Sequence, residues 1–271
     1  MTRLRIVSLN AWGGQVWDEL KAWIPEVGAD VLCLQEMIRA PVPSPEWLRY
    51  VDANRDLAQR ADLFGDVSAL LPGHQTQFAA ATRGPLTDDA GKVHLSEHGL
   101  GIWVAGRLAT SQTSAGFVHG AFRERGWGEE PVPRTMQIVR VEHDGASVLV
   151  AHMHGLRDPS GKGDTPARLA QARAALANIE AMKRPNDKVV FMGDFNILPD
   201  SGCFDIWADG GLSDLVARFG IDDTRTSLYS KPSRHANYCL VSEQVQVRAF
   251  DAPATPVVSD HRPLILDIDI S

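Results

Sequence analysis

Val189-Val190-Phe191-Met192-Gly193-Asp194-Phe195-Asn196 runs apolar for four residues, then breaks at a glycine into Asp-Phe-Asn. A strand apolar at consecutive positions is buried on both faces, so it lies between layers. Just upstream, Thr165–Met182 predicts a helix. Thr165 suits the capping position, Pro166 the first helical position, and Leu169, Ala172, Leu176 and Ile179 recur on one face. Helix followed by buried strand is the rhythm of an α/β protein.

The same rhythm extends in both directions. Leu4–Leu9, Val31–Leu34, Gly101–Val104, Met136–Val141, Val148–Met153, Tyr238–Val241 and Leu264–Ile268 also predict strands. Val16–Ile24 predicts a helix with Trp17, Leu20 and Ile24 on one face, and Glu46–Leu70 a longer helical or irregular stretch. Gly84–Gly99, Gly120–Pro133 and Gly155–Asp164 are rich in glycine, proline or charge and predict loops. No repeat or low-complexity linker divides the chain, so residues 1–271 are expected to form one α/β domain with two β-rich halves.

Composition narrows the function. Three cysteines, Cys33, Cys203 and Cys239, are odd in number and far apart, which excludes a disulfide scaffold and a CxxC zinc site. The net charge of −7 argues against a general basic surface for nucleic acid, although a local basic groove stays open. No apolar run is long enough to span a membrane, and the N-terminus lacks the pattern of a signal peptide, so a cytoplasmic location is expected.

Polar residues end apolar strands at five places: Ser8-Leu9-Asn10-Ala11-Trp12, Leu34-Gln35-Glu36, Ala151-His152-Met153-His154-Gly155, Gly193-Asp194-Phe195-Asn196 and Ser259-Asp260-His261-Arg262-Pro263. Singly, each reads as turn chemistry or a solvated carboxylate. Their joint occurrence in this order does not.

Together these motifs resemble the endonuclease/exonuclease/phosphatase superfamily, over essentially the whole chain. The resemblance implies a deoxyribonuclease I-like four-layer α/β sandwich, two packed mixed β-sheets flanked by helices. It also implies a divalent-metal-dependent phosphoesterase using Mg2+, with Mn2+ able to substitute. Magnesium takes oxygen ligands and keeps several waters, which suits a carboxylate from Glu36 and a neutral carbonyl from Asn10, with Asp260 steadying the metal or a histidine. Asp194 is the implied residue for orienting or deprotonating the attacking water. Asn196 would donate its amide to phosphate, His261 would contact phosphate or share the base role, and His154 would stabilise phosphate or assist the leaving group.

Two departures stand out. His152 replaces a common Asn and reads as a strand-end polar residue or a spare phosphate ligand. Asn237 stands where the family has an Asp beside the last histidine; it can accept a hydrogen bond from His261 but carries no charge to favour an imidazolium. Arg134, Arg168 and Gln171 match basic or amide positions near the substrate, with packing an equal alternative. Trp12 is expected to pack, or to stack a base.

The expected substrate is a phosphodiester in a nucleic acid or nucleotide, with DNA or RNA among the candidates. The alternatives are a phospholipid or sugar-phosphate head group, and a catalytically weak binding module on the same fold.

Overall fold

Burial along the first strand explains the architecture. The structure is a computed structural model that describes residues 3–52, 55–126 and 132–270. In β1 (Arg3–Asn10), Leu4 and Ile6 join one core, while Val7 and Leu9 join another on the opposite face. A strand presents alternate residues to opposite sides, so β1 separates two apolar layers.

The chain continues through α1 (Trp17–Glu26), β2 (Val31–Arg39), β3 (Trp47–Val51), β4 (Asp56–Arg60), α2 (Leu63–Leu70), β5 (His74–Thr87), β6 (Val93–Ala105) and β7 (Ala109–His119). It then forms β8 (Arg134–His143), β9 (Ala146–His154), α3 (Pro166–Met182), β10 (Lys188–Asp194), α4 (Cys203–Asp209), β11 (Leu212–Asp214), α5 (Leu215–Arg218), β12 (Asn237–Ser242), β13 (Gln246–Asp251) and β14 (Leu264–Asp269). Among the described residues, one mixed sheet has the order β13-β14-β1-β2-β6-β5-β3-β4 and the other β11-β12-β10-β9-β8-β7.

The sheets pack face to face. Ile6, Val31 and Cys33 of the first meet Val148, Val150, Val190 and Cys239 of the second in a shared core. All three cysteines are buried free thiols. Cys33 and Cys239 sit in this inter-sheet core, whereas Cys203 begins α4. On the outside of the first sheet, Leu20, Trp23 and Ile24 of α1 and Leu63 and Val67 of α2 cover Leu32, Leu34 and Trp103. On the outside of the second, Arg140 of β8 donates to the Met182 carbonyl of α3 at 2.5 Å, and Trp207 of α4 donates to Ala172 of α3 at 3.1 Å. The result is the four-layer sandwich of the deoxyribonuclease I-like fold. No helix among the described residues is long and apolar enough to cross a membrane.

The helix expected at Thr165–Met182 forms as read, with the Thr165 hydroxyl accepting from Arg168 N–H at 3.2 Å. Two expectations are corrected. Glu46–Leu70 is chiefly the β3–β4 hairpin, and only Leu63–Leu70, capped by Asp62, is helical. Gly84–Gly99 is not a loop but the far half of the β5–β6 hairpin. Pro85 is tolerated there because β5 meets β3 only at Thr87, leaving one flank without a ladder. Of the Gly120–Pro133 loop, residues 127–131 lie outside the described residues.

Candidate active site

Parallel pairing brings the strand ends together. β1 runs beside β2 with Asn10 opposite Gln35, and β9 beside β10 with His154 opposite Asp194. β12 pairs with β10 so that Asn237 faces Asp194. Asn10, His154, Asp194 and Asn237 thus continue the inward faces of their strands, Asp194 and Asn237 one step past the apolar packing and Asn10 and His154 one step past the buried polar Ser8 and His152. Two glycines permit this approach. Gly193 has φ 144°, and a Cβ there would lie 2.1 Å from the Met153 carbonyl; one on Gly155 would lie 2.1 Å from that of Phe195.

Glu36 reaches the cluster differently. The β2–β6 register shifts between Leu34 and Met37, and Glu36 takes φ 56°. This bulge tips its carboxylate out of the strand, with its side chain 35% exposed.

Asn10 ties two carboxylates together. Its Nδ2 donates to Glu36 Oε1 at 3.0 Å and to Asp194 Oδ2 at 2.9 Å, while its Oδ1 accepts from Trp12 N–H at 2.9 Å. These partners fix the amide orientation. Asn10 therefore turns its nitrogen, not the expected carbonyl, toward the centre. His154 Nε2 lies 3.6 Å from Asp194 Oδ2 and 3.9 Å from Glu36 Oε1; His261 Nε2 lies 3.5 Å from Asp194 Oδ2.

The two histidines hold opposite tautomers. Arg134 donates to His154 Nδ1 at 3.3 Å, which leaves the Nε2 proton facing the carboxylates. His261 Nδ1 donates to Asn237 Oδ1 at 2.7 Å, and Asn237 is oriented by donating to the Arg262 carbonyl at 2.9 Å. His261 Nε2 is then an acceptor, and Arg225 Nη1 donates to it. Burial and the Arg134 charge push His154 down to about 3. Burial also depresses His261 far below its ordinary value. Burial pushes Asp194 up, but His261, His154 and Arg225, with the Asn10 amide, outweigh it and hold the carboxyl below the usual range. Desolvation raises Glu36, with Asp194 adding to the effect.

Other expected residues stand elsewhere. Of the two roles expected for Asp260, the structure places it beside a histidine: its Oδ1 lies 3.7 Å from His261 Nε2, its Oδ2 accepts from Arg225 at 2.8 Å, and burial pushes it up to about 7. His152 is no phosphate ligand. It lies beneath the site, its Nδ1 accepting from Gln35 at 3.2 Å and its Nε2 donating to Gln137 at 2.9 Å. Arg168 makes no phosphate contact possible either, since its buried guanidinium donates to the carbonyls of Leu156, Gly161 and Gly163 and shapes the 155–164 loop. Gln171 accepts from Leu156 N–H at 2.9 Å in the same loop. Asn196, at φ 55°, donates its backbone N–H to Asp194 Oδ1 at 3.0 Å and keeps its amide at the rim, 3.4 Å from the Gly155 carbonyl. Trp12 is half-buried beside Asn10.

Sequence reading missed Arg225, Tyr229 and Lys162. Arg225 and Tyr229 lie on a coil without periodicity, and only the Gly-flanked Lys162 ahead of a capped helix carried a signal. Arg234 holds that coil by gripping Asp223 at 2.8 Å and donating to the carbonyls of Arg225, Thr226 and Tyr229.

Among the described residues, no three His, Cys, Asp or Glu side chains group to enclose a metal. The oxygen donors, a part-exposed Glu36 carboxylate beside an ionised Asp194, instead fit a hard divalent cation held by few protein atoms and completed by water and substrate.

A two-sheet sandwich with carboxylates, amides and histidines gathered at its strand ends is the architecture of the deoxyribonuclease I-like class. The chain belongs to the Endonuclease/Exonuclease/phosphatase family, whose sequence profile matches residues 7–261. Similar solved structures include an endonuclease/exonuclease/phosphatase from Beutenbergia cavernae (18% identity, 100% of this chain, 72% of that one, TM-score 0.71). A mannosyl-6-phosphatase from Bacteroides thetaiotaomicron (14%, 98% and 99%, 0.69) and the human Nocturnin catalytic domain with bound sulfate (18%, 99% and 94%, 0.62) share the fold as well. No curated protein matches the chain by sequence.

Proposed function

We propose that the chain hydrolyses a phosphoester with the help of a magnesium or manganese ion. The observation that carries this reading is the approach of His154 and His261 to one oxygen of Asp194, at 3.6 and 3.5 Å, with Glu36 at the same mouth. Glu36 would hold the cation, with Asp194 nearby. The bound cation would withdraw negative charge from a phosphoryl oxygen. Asp194 stays ionised, so its Oδ2 can orient an attacking water and take its proton, with the neutral Nε2 of His261 beside it. His154 presents an Nε2 proton to a phosphoryl or leaving-group oxygen. Asn196 stands at the rim, where its amide can donate to phosphate.

The leading substrate is a phosphodiester in a nucleotide or nucleic acid, followed by lipid and sugar-phosphate esters. A screen of single-stranded DNA, abasic duplex, RNA, dinucleotides, lipid phosphodiesters and phosphomonoesters, with magnesium, manganese or EDTA, tests the reading. Glu36→Ala should cost at least about tenfold in rate with weakened metal dependence, and Asp194→Ala about 100-fold or more. Wild-type turnover in both variants, or no metal-dependent turnover of any ester, would reject the proposal.

A further inference from the structure

Beside the carboxylate–histidine cluster stands a group of cations that its chemistry leaves unused. Arg225 is nearly fully buried, its side chain 6% exposed, yet among the described residues its guanidinium donates only through Nη1, to Asp260 and His261. Its Nε is buried without an acceptor, and its Nη2 meets no protein acceptor among the described residues. A buried guanidinium with unmet donors is costly unless something else supplies the oxygens. Its Cζ lies 4.1 Å from the centroid of the Tyr229 ring. Lys162, on the loop before α3, places its ammonium 5.8 Å from the same ring centre. Lys162 donates to the His235 carbonyl and, among the described residues, forms no ion pair with a carboxylate. Desolvation, with Arg225 and Lys231 nearby, lowers it to about 8, against the pull of Asp194 and Asp260.

We propose that Lys162 and Arg225, both seated on Tyr229, form a preformed clamp for the anionic oxygens of the substrate's phosphoryl group. The proposal rests on the phosphoesterase reading above and adds the residues that grip the phosphate. Phosphate offers the oxygens that Arg225 lacks and the negative charge that Lys162 lacks. Both arms are held in place in advance, Lys162 by the loop that Arg168 shapes and Arg225 by the coil that Arg234 staples. Because the cations already lie on the Tyr229 ring, this wall reads charge rather than a nucleobase.

The test is calorimetric titration of inorganic phosphate in EDTA, followed by steady-state kinetics on an ester that the screen shows to be turned over. Lys162→Met should weaken phosphate binding about tenfold. It should raise KM by a similar factor with kcat within about threefold, the signature of lost substrate binding. Lys162→Arg should restore most of both, and Tyr229→Leu, which removes the platform, should weaken phosphate without abolishing it. The clamp is overturned if wild type binds no phosphate, if a folded Lys162→Met binds it as tightly as wild type, or if Lys162→Arg is no better than Lys162→Met. A protein that hydrolyses no ester but loses phosphate affinity in Lys162→Met would keep the clamp and discard the hydrolase. Ester turnover with phosphate affinity indifferent to Lys162 would do the reverse.

Discussion

Trp12, Glu36 and Asn196 all hold left-handed backbone, at φ 52°, 56° and 55°. Side chains other than glycine, Asn and Asp pay of order 1–3 kcal/mol for such positions, which cluster where function needs an unusual aim. Here the conformation lifts Glu36 out of its strand and turns Asn196 to the rim. Asn237 sets a different property, the tautomer of His261. Replacing it with Asp adds negative charge against the imidazole and raises the His261 pKa. The neutral ring is the form that accepts at Nε2, so the acid limb of kcat/KM should move to higher pH, by about one unit. A pH–rate profile of Asn237→Asp that superimposes on wild type would uncouple the two residues. Asn10, Glu36, His154 and Asp194 were legible as one group because each ends or breaks an apolar strand, and His261 because it stands just before one. The direction of Asn10's amide was not, since it depends on two carboxylates distant in sequence.

The elements around the site are anchored by buried polar contacts. Arg140 of β8 pairs with Asp187 at 2.6 Å, both nearly inaccessible, and Asp187 also accepts from Ser147 and the backbone of Arg184. Together with the Met182 bond, this ties the end of α3 to the second sheet. Removing one partner leaves a buried charge uncompensated, so Asp187→Ala should lose about 3–5 kcal/mol. Urea unfolding measures this, and a loss below about 1 kcal/mol would mean that water replaces the carboxylate. The helix itself was legible from Thr165, Pro166 and its apolar face, because capping and periodicity are local. In the β3–β6 region only Gly101–Val104, within β6, was legible. Its strands carry Gly84, Pro85 and many polar residues, and their pairing is decided by neighbours rather than by their own pattern.

Across the whole molecule, a polar thread crosses the gap between the sheets below the site. Gln35 donates to Ser8 and His152, His152 to Gln137, and Gln137 to the Gln77 carbonyl. The candidate site itself draws Asn10 and Glu36 from one sheet and His154 and Asp194 from the other. Cys33 and Cys239 lie deeper in the same seam, their thiols pushed far up by burial. They make the seam a stopwatch. A thiol reagent can modify them only during moments when the sheets part, so the labelling rate counts those moments. Phosphate bound across the mouth at about ten times its Kd should slow both about tenfold. Cys203, at the start of α4, should keep its own pace if the sheets part without global unfolding. Equal slowing at all three would show that the protein opens only by unfolding completely. Unequal slowing would reveal a hinge along the seam, so that occupancy of the mouth governs how often the two halves breathe.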